Sequence, residues 1–167
     1  GEALRIEAWR PRLGPDTDDR TVPHELDWLR TAVHLAKGCY KGQETVARVH
    51  NLGHPPRRLV FLDLDGSEHT LPSAGAEVIA GQRTVGRVTS AQLHHEAGPI
   101  ALAVIKRSVD PQAELRVREP LRDPDAGGGN ADEQAPEQWA AAQIVVVPPD
   151  AGQVVQRESG FLRRPRG

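Results

Sequence analysis

The single cysteine of this chain, Cys39, is its one strong nucleophile. It stands between Lys37 and Lys41, four residues before Gln43. From about Gln43 to His50 the composition predicts a helix, opened by the permissive Gly42 and stopped by Asn51-Leu52-Gly53. Nearby ammonium groups and the positive end of a helix dipole both favour a thiolate, so a reactive thiol is physically reasonable here. A buried cysteine acting as a small hydrophobe is the alternative reading. A lone thiol makes no internal disulfide and cannot by itself hold a structural zinc or an iron–sulfur cluster.

Other reactive side chains form weaker patterns. Glu44 precedes Arg48 by four residues, the favourable direction for a pair on one helix face. Gly38 and Gly42 read as positions of positive φ or close backbone approach in a tight loop. The seven histidines do not assemble into a ligand set: His94-His95 fall in an expected turn, and His50 and His54 straddle a helix end. No HExxH, G-x-S-x-G, phosphate-cradling glycine loop or Ser/His/Asp spacing accompanies them.

From Arg57 onward the elements that must carry these residues are short strands. The runs are LVFLDL (59–64), AEVIA (76–80), TVGRVTSA (84–91), IALAVIK (100–106), AELRVR (113–118) and QIVVV (143–147). In the fifth, Ala113, Leu115 and Val117 alternate with Glu114, Arg116 and Arg118, the period-2 signature of a half-buried strand. Residues 59–62 and 100–105 are continuously apolar, as expected where a strand is covered on both faces. Turn signals separate the runs, and no helical pattern intervenes, so a small antiparallel barrel or sandwich is expected. Residues 118–140 carry two basic against six acidic groups with three Pro and three Gly, and read as a flexible acidic insertion in the barrel region 57–150. Residues 151–167 read as a flexible tail.

Residues 1–56 differ in kind. LRIEAW (4–9) reads as a short strand, 11–23 as a Pro/Asp-rich loop, and HELDWLRTAVHLA (24–36) as a helix. The expected fold class is therefore α+β. The bulk numbers agree: 167 residues, 38% apolar, suffice for a real core, and a net charge of −2 excludes a binder acting mainly through phosphate neutralisation. No apolar run approaches a membrane span and no signal peptide opens the chain, so a cytoplasmic protein is expected, with neither membrane nor direct nucleic-acid partners. The absence of methionine points to a fragment of a longer protein.

Lys37-Gly38-Cys39-Tyr40-Lys41-Gly42-Gln43-Glu44 resembles the K-G-C-Y-x-G-Q-E signature of YgfZ-type folate-binding proteins, relatives of the glycine-cleavage T-protein (aminomethyltransferase). Leu4-Arg5-Ile6-Glu7-Ala8 is similar to the family's L-R-x-E-A segment, and Val85 to Ser90 to the V-G-x-V-T-S of its C-terminal barrel. The resemblance implies that 1–56 is the tail end of a T-protein-like folate-binding region, followed by the barrel. It implies a tetrahydrofolate-binding accessory factor for iron–sulfur cluster assembly or repair and iron–sulfur-dependent tRNA modification. Its partners would be iron–sulfur enzymes or cluster-assembly proteins, and Cys39 its functional thiol. Catalysis as an aminomethyltransferase, which transfers a one-carbon unit to tetrahydrofolate, is the alternative. By the same resemblance Glu7 is the candidate partner of the pterin N–H groups, Lys37 and Arg48 of the folate glutamate tail, and Tyr40 of the ring, with Gln43 and Glu44 completing the loop. Trp9 departs from the family's E-A-G.

Overall fold

A computed structural model describes residues 1–34, 37–66, 70–120 and 137–149, leaving aside the side chain of Leu52. Six strands, β1 (Arg57–Leu64), β2 (Glu77–Ala80), β3 (Arg83–His94), β4 (Gly98–Lys106), β5 (Leu115–Arg118) and β6 (Gln138–Val145), form a closed antiparallel barrel in the order β1-β4-β3-β2-β5-β6. The first five runs expected from alternation and turn chemistry each hold a strand, while the sixth, expected at 143–147, starts five residues earlier and ends at Val145.

The two continuously apolar runs are covered on both sides, each by a different core. Val60, Leu62, Leu64, Ala101, Ala103 and Ile105 point inward and pack with Leu115, Val117 and Trp139. Leu59, Phe61, Ile100, Leu102 and Val104 point outward, under Ile6, Leu26 and Val147 from the flanking segments. The segments outside the barrel are thus held by the faces of β1 and β4 that would otherwise expose apolar surface.

Gly86 and Thr89 shape β3. A Cβ on Gly86 would lie 2.3 Å from the Val104 carbonyl oxygen and 2.6 Å from Ile105 Cα, so only glycine lets β3 cross β4 this closely. The β3–β4 register then shifts between Val88 and Ser90, a bulge with Thr89 as the extra residue. In a regular strand Thr89 and Ser90 would face opposite sides. The bulge turns both toward the same carboxylate, that of Asp16.

Three expectations for the elements change. Residues 4–9 are not a strand: α1 spans Glu2–Glu7. The closed barrel offers no edge for a seventh strand, and one helical turn suffices to set Ile6 into the outer core. The helix ends with Trp9 in the left-handed region (φ 54°) and Arg10 N–H bonded to the Arg5 carbonyl at 3.0 Å, so Trp9 fills the position where a Schellman cap ordinarily takes glycine. Residues 24–36 are not one helix. A 3₁₀ turn, Pro23–Leu26, is followed by α2 (Trp28–Thr31), with Asp27 left-handed between them (φ 59°). His24, Glu25 and Leu26 are consecutive and all buried, which one face of a regular α-helix cannot accommodate. The acidic insertion is also shorter than 118–140. Arg118 pairs with Gln138 at the β5–β6 rung, and Trp139 is a core residue. Its remaining part, 121–136, and the tail from 150 lie outside the described residues.

Candidate functional site

The signature loop enters α3 (Gln43–Leu52) through Gly42, whose φ of 85° is left-handed. Gln43 N–H donates to the Tyr40 carbonyl at 3.2 Å and Val46 N–H to the Gly42 carbonyl at 3.1 Å, so the chain reverses at Tyr40 to Gln43 and starts the helix at once. Gly42 thus has the conformational role expected of it, whereas Gly38 shows neither positive φ nor a close neighbour. Lys37, Cys39, Lys41, Glu44 and Arg48 are exposed, and Tyr40 and Gln43 are half-buried. Exposure removes the reading of Cys39 as a core hydrophobe. The Glu44–Arg48 pair does not form: among the described residues neither Arg48 nor Lys37 has an ion-pair partner. Both side chains are exposed to solvent.

The helix behind this loop is seated by Val46, the one buried side chain among its described residues, and by a histidine pair. His50 lies against His24 of the 3₁₀ turn, with ring centroids 6.1 Å apart, and neither nitrogen of His24 has a hydrogen-bond partner among the described residues. Burial, and secondarily the facing His50, pushes the His24 pKa below its ordinary 6.5. Such a group takes up a proton less readily in the fold than in the unfolded chain, so stability is lost as pH falls through 6.5. The seat of α3 therefore weakens in acid. Between pH 7.5 and 5.5, urea melts of H24F are expected to show a slope shallower than the parent's by up to about 1.4 kcal/mol per pH unit. Equal slopes would remove His24 as the titrating group.

Glu7 sits elsewhere, at the end of α1 over the barrel. Its Oε2 lies 3.4 Å from Nε2 of His94, the last residue of β3, and no hydrogen bond or ion pair among the described residues joins it to 37–44. The expected site residues therefore fall in two places, the signature loop and the α1 terminus. His94 is a buried strand residue rather than part of a turn.

Polar networks that the sequence did not reveal hold these places to the barrel. Asp16, fully buried, accepts from Thr89 Oγ1 (2.5 Å) and Ser90 Oγ (2.6 Å) on Oδ1, and from Arg5 Nη1 and Arg12 N–H (both 2.8 Å) on Oδ2. Arg5 also donates to Ser90 Oγ (2.8 Å). Arg5 of the L-R-x-E-A segment and the Thr-Ser of the barrel segment are thereby parts of one structure. Beside it, Arg57 donates to Asp18 (2.7 Å) and Glu25 (2.8 Å), and Arg87 also reaches Asp18 (2.6 Å). The Arg57 hydrogen bond, foremost, holds the Asp18 carboxyl well below the usual carboxylate range. A cavity of about 250 Å³ lies between these groups, lined by Asp16, Asp18, Arg57, Arg87 and Thr89 and by none of the expected site residues. Its charges are already paired within the fold. The only local signal for Asp16 and Asp18 was an Asp-rich loop, which surface solvation explains equally well.

Residues 57–123 match the glycine cleavage T-protein C-terminal barrel domain. This stretch is a T-protein-type C-terminal barrel, and the chain's similarity to T-protein-related proteins extends beyond it. It is similar to an aminomethyltransferase of a Nostoc species, 35% identical over 124 residues, covering 72% of this chain and 30% of that protein. It is also similar to proteins named tRNA-modifying protein YgfZ. In Edwardsiella ictaluri the identity is 33% over 125 residues (72% of this chain, 37% of the relative), and in Escherichia coli 31% over 122 residues (70% and 37%). The chain spans about a third of the length of these relatives. The closed antiparallel barrel is consistent with that C-terminal barrel domain. Among the described residues no helix is long and apolar enough to cross a membrane, and no group of three or more His, Cys, Asp or Glu could hold a metal ion.

Proposed function

We propose that this chain is part of a cytoplasmic, tetrahydrofolate-binding accessory protein. It would support the assembly or repair of iron–sulfur enzymes, including those that modify tRNA, with Cys39 as the working thiol. The observation that carries the reading is the loop itself. An exposed thiol stands between two exposed lysines, held by a glycine-initiated helix on a T-protein barrel. The chemistry of the remaining groups fits a folate. Glu7 is an exposed carboxylate with no guanidinium partner among the described residues, Lys37 and Arg48 are cations with no ion-pair partner among them, and Tyr40 offers a partly covered ring, with Gln43 and Glu44 at the helix start. The thiol contributes at most one ligand to a cluster shared with a client enzyme, or attacks as a nucleophile.

Two measurements test this in the full-length protein. Glu7→Ala is expected to weaken tetrahydrofolate binding in calorimetry by about 1.5–3 kcal/mol, the worth of hydrogen bonds to a charged acceptor. Equal affinity would take Glu7 out of the site. Cys39→Ser is expected to leave affinity and folding intact while lowering the activity of a cluster-dependent enzyme in cells, and unchanged activity would sink the reading. The similarity to an aminomethyltransferase favours a second reading, one-carbon transfer to tetrahydrofolate. Tetrahydrofolate-dependent ammonia release from an aminomethyl carrier would establish it.

A further inference from the structure

The turn after β3 fixes the hydrogen-bonding state of a histidine. The His94 side chain is only 3% exposed, and its Nδ1 accepts N–H groups from Glu96 at 3.3 Å and Ala97 at 3.1 Å. With the Nδ1 lone pair engaged, the neutral ring carries its proton on Nε2. Nε2 makes no hydrogen bond among the described residues and faces Glu7 Oε2 at 3.4 Å, one small rotation of the 54%-exposed Glu7 side chain from closing. The neighbouring charges are committed elsewhere. Arg5 of α1 serves Glu2 and Asp16, His95 lies over the His94 ring at 4.4 Å with its own Nε2 3.6 Å from Glu96, and the β4 residue opposite His94 is Gly98.

We propose that His94 is the positioning residue of the Glu7 carboxylate. Its Nε2–H takes one lone pair of Oε2 and turns the rest of the carboxylate outward, toward a ligand that presents two adjacent N–H donors on a flat ring. The 2-amino-4-oxopyrimidine edge of a pterin is that kind of donor, and this assignment of the ligand rests on the folate reading above. A guanidinium in the same place would occupy both carboxylate oxygens in a bidentate pair and compete with such a ligand. A neutral, single-donor ring orients the carboxylate and leaves its charge available.

Nitrogen-15 NMR of histidine-labelled chain reads the contact without any ligand. The expected result is an Nε2–H tautomer for His94 and an Nε2 signal that moves in Glu7→Gln while those of His24 and His50 stay in place. An Nδ1–H tautomer, or an Nε2 signal indifferent to Glu7→Gln, overturns the pairing. Calorimetric titration of the full-length protein with tetrahydrofolate reads the role. His94→Phe is expected to weaken binding about five- to tenfold, and His94→Gln, whose amide N–H reaches where Nε2–H stood, to recover it to within about twofold. Equal affinity of parent and His94→Phe overturns positioning, as does equal loss in both variants. If the parent binds no tetrahydrofolate, the folate reading falls and takes the proposed ligand with it, while the NMR result still decides whether His94 holds Glu7.

Discussion

Gly86→Ala is expected to destabilise the barrel by more than about 4 kcal/mol, a large share of the roughly 5–15 kcal/mol that holds a domain of this size together. The added methyl would meet backbone: the Val104 oxygen at 2.3 Å, Ile105 Cα at 2.6 Å and Ile105 Cγ2 at 2.8 Å. A flexible side chain could swing aside, but β3 cannot. It is paired to β2 through Gly86 and Val78 and to β4 through Gly86 and Ile105, so retreat from one neighbour breaks registry with the other. Closure of the barrel also denies the strand an edge toward which to shift. Thermal or urea denaturation followed by circular dichroism measures the effect. Gly53→Ala is the control: its φ of −165° is ordinary extended backbone and nothing lies within 4 Å of the added carbon. A Gly86→Ala protein melting with that control would mean that β3 and β4 stand further apart than described.

The second large effect is expected at Asp16. Asp16→Ala leaves the Arg5 guanidinium, whose side chain is 14% exposed, without its buried counter-charge. It also strips an acceptor from Thr89, Ser90 and the Arg12 N–H. Removing one partner of a buried pair costs about 3–5 kcal/mol, because the remaining charge stays desolvated. The loss reports on more than one contact. Asp16 is where the loop after α1 is tied to the β3 bulge, so α1 and Glu7 lose their purchase on the barrel together with it. A double-mutant cycle with Thr89→Val separates the bulge contribution, and a coupling of about 1–3 kcal/mol is expected for groups sharing one network. Additive losses would mean that Thr89 does not act through Asp16. Asp16→Asn keeps the shape and one acceptor oxygen and is expected to lose less than the alanine variant.

These two positions also separate what was legible in the residues from what was not. Leu115 and Val117 alternate with Arg116 and Arg118, and the observed strand buries just that face. Residues 59–62 and 100–105 read as covered on both sides and carry a core on each. Gly42 was readable as a helix entry because a left-handed residue before a helix is a local requirement. The helical α1 was not readable, since Leu4 to Trp9 has strand-like composition and only the absence of an open sheet edge decides against a strand. The broken helix at 24–36 escaped for a similar reason: His24, Glu25 and Leu26 answer to three different partners, namely His50, Arg57 and the outer core.

For the candidate site the division is the same. The eight residues from Lys37 to Glu44, their charges, their lone thiol and their helix entry are properties of neighbours in the chain, and the sequence by itself determined them. Whether Cys39 is exposed, which carboxylate takes Arg5, and which nitrogen of His94 faces Glu7 depend on groups brought together across long separations. Asp16 meets Thr89 from 73 residues away and Arg5 meets Ser90 from 85. Periodicity and turn chemistry act over a few residues and are written into local order. Such distant pairings exist only once the barrel has closed and the bulge at Thr89 has set the direction of two hydroxyls, and for that reason the tertiary structure alone decided them.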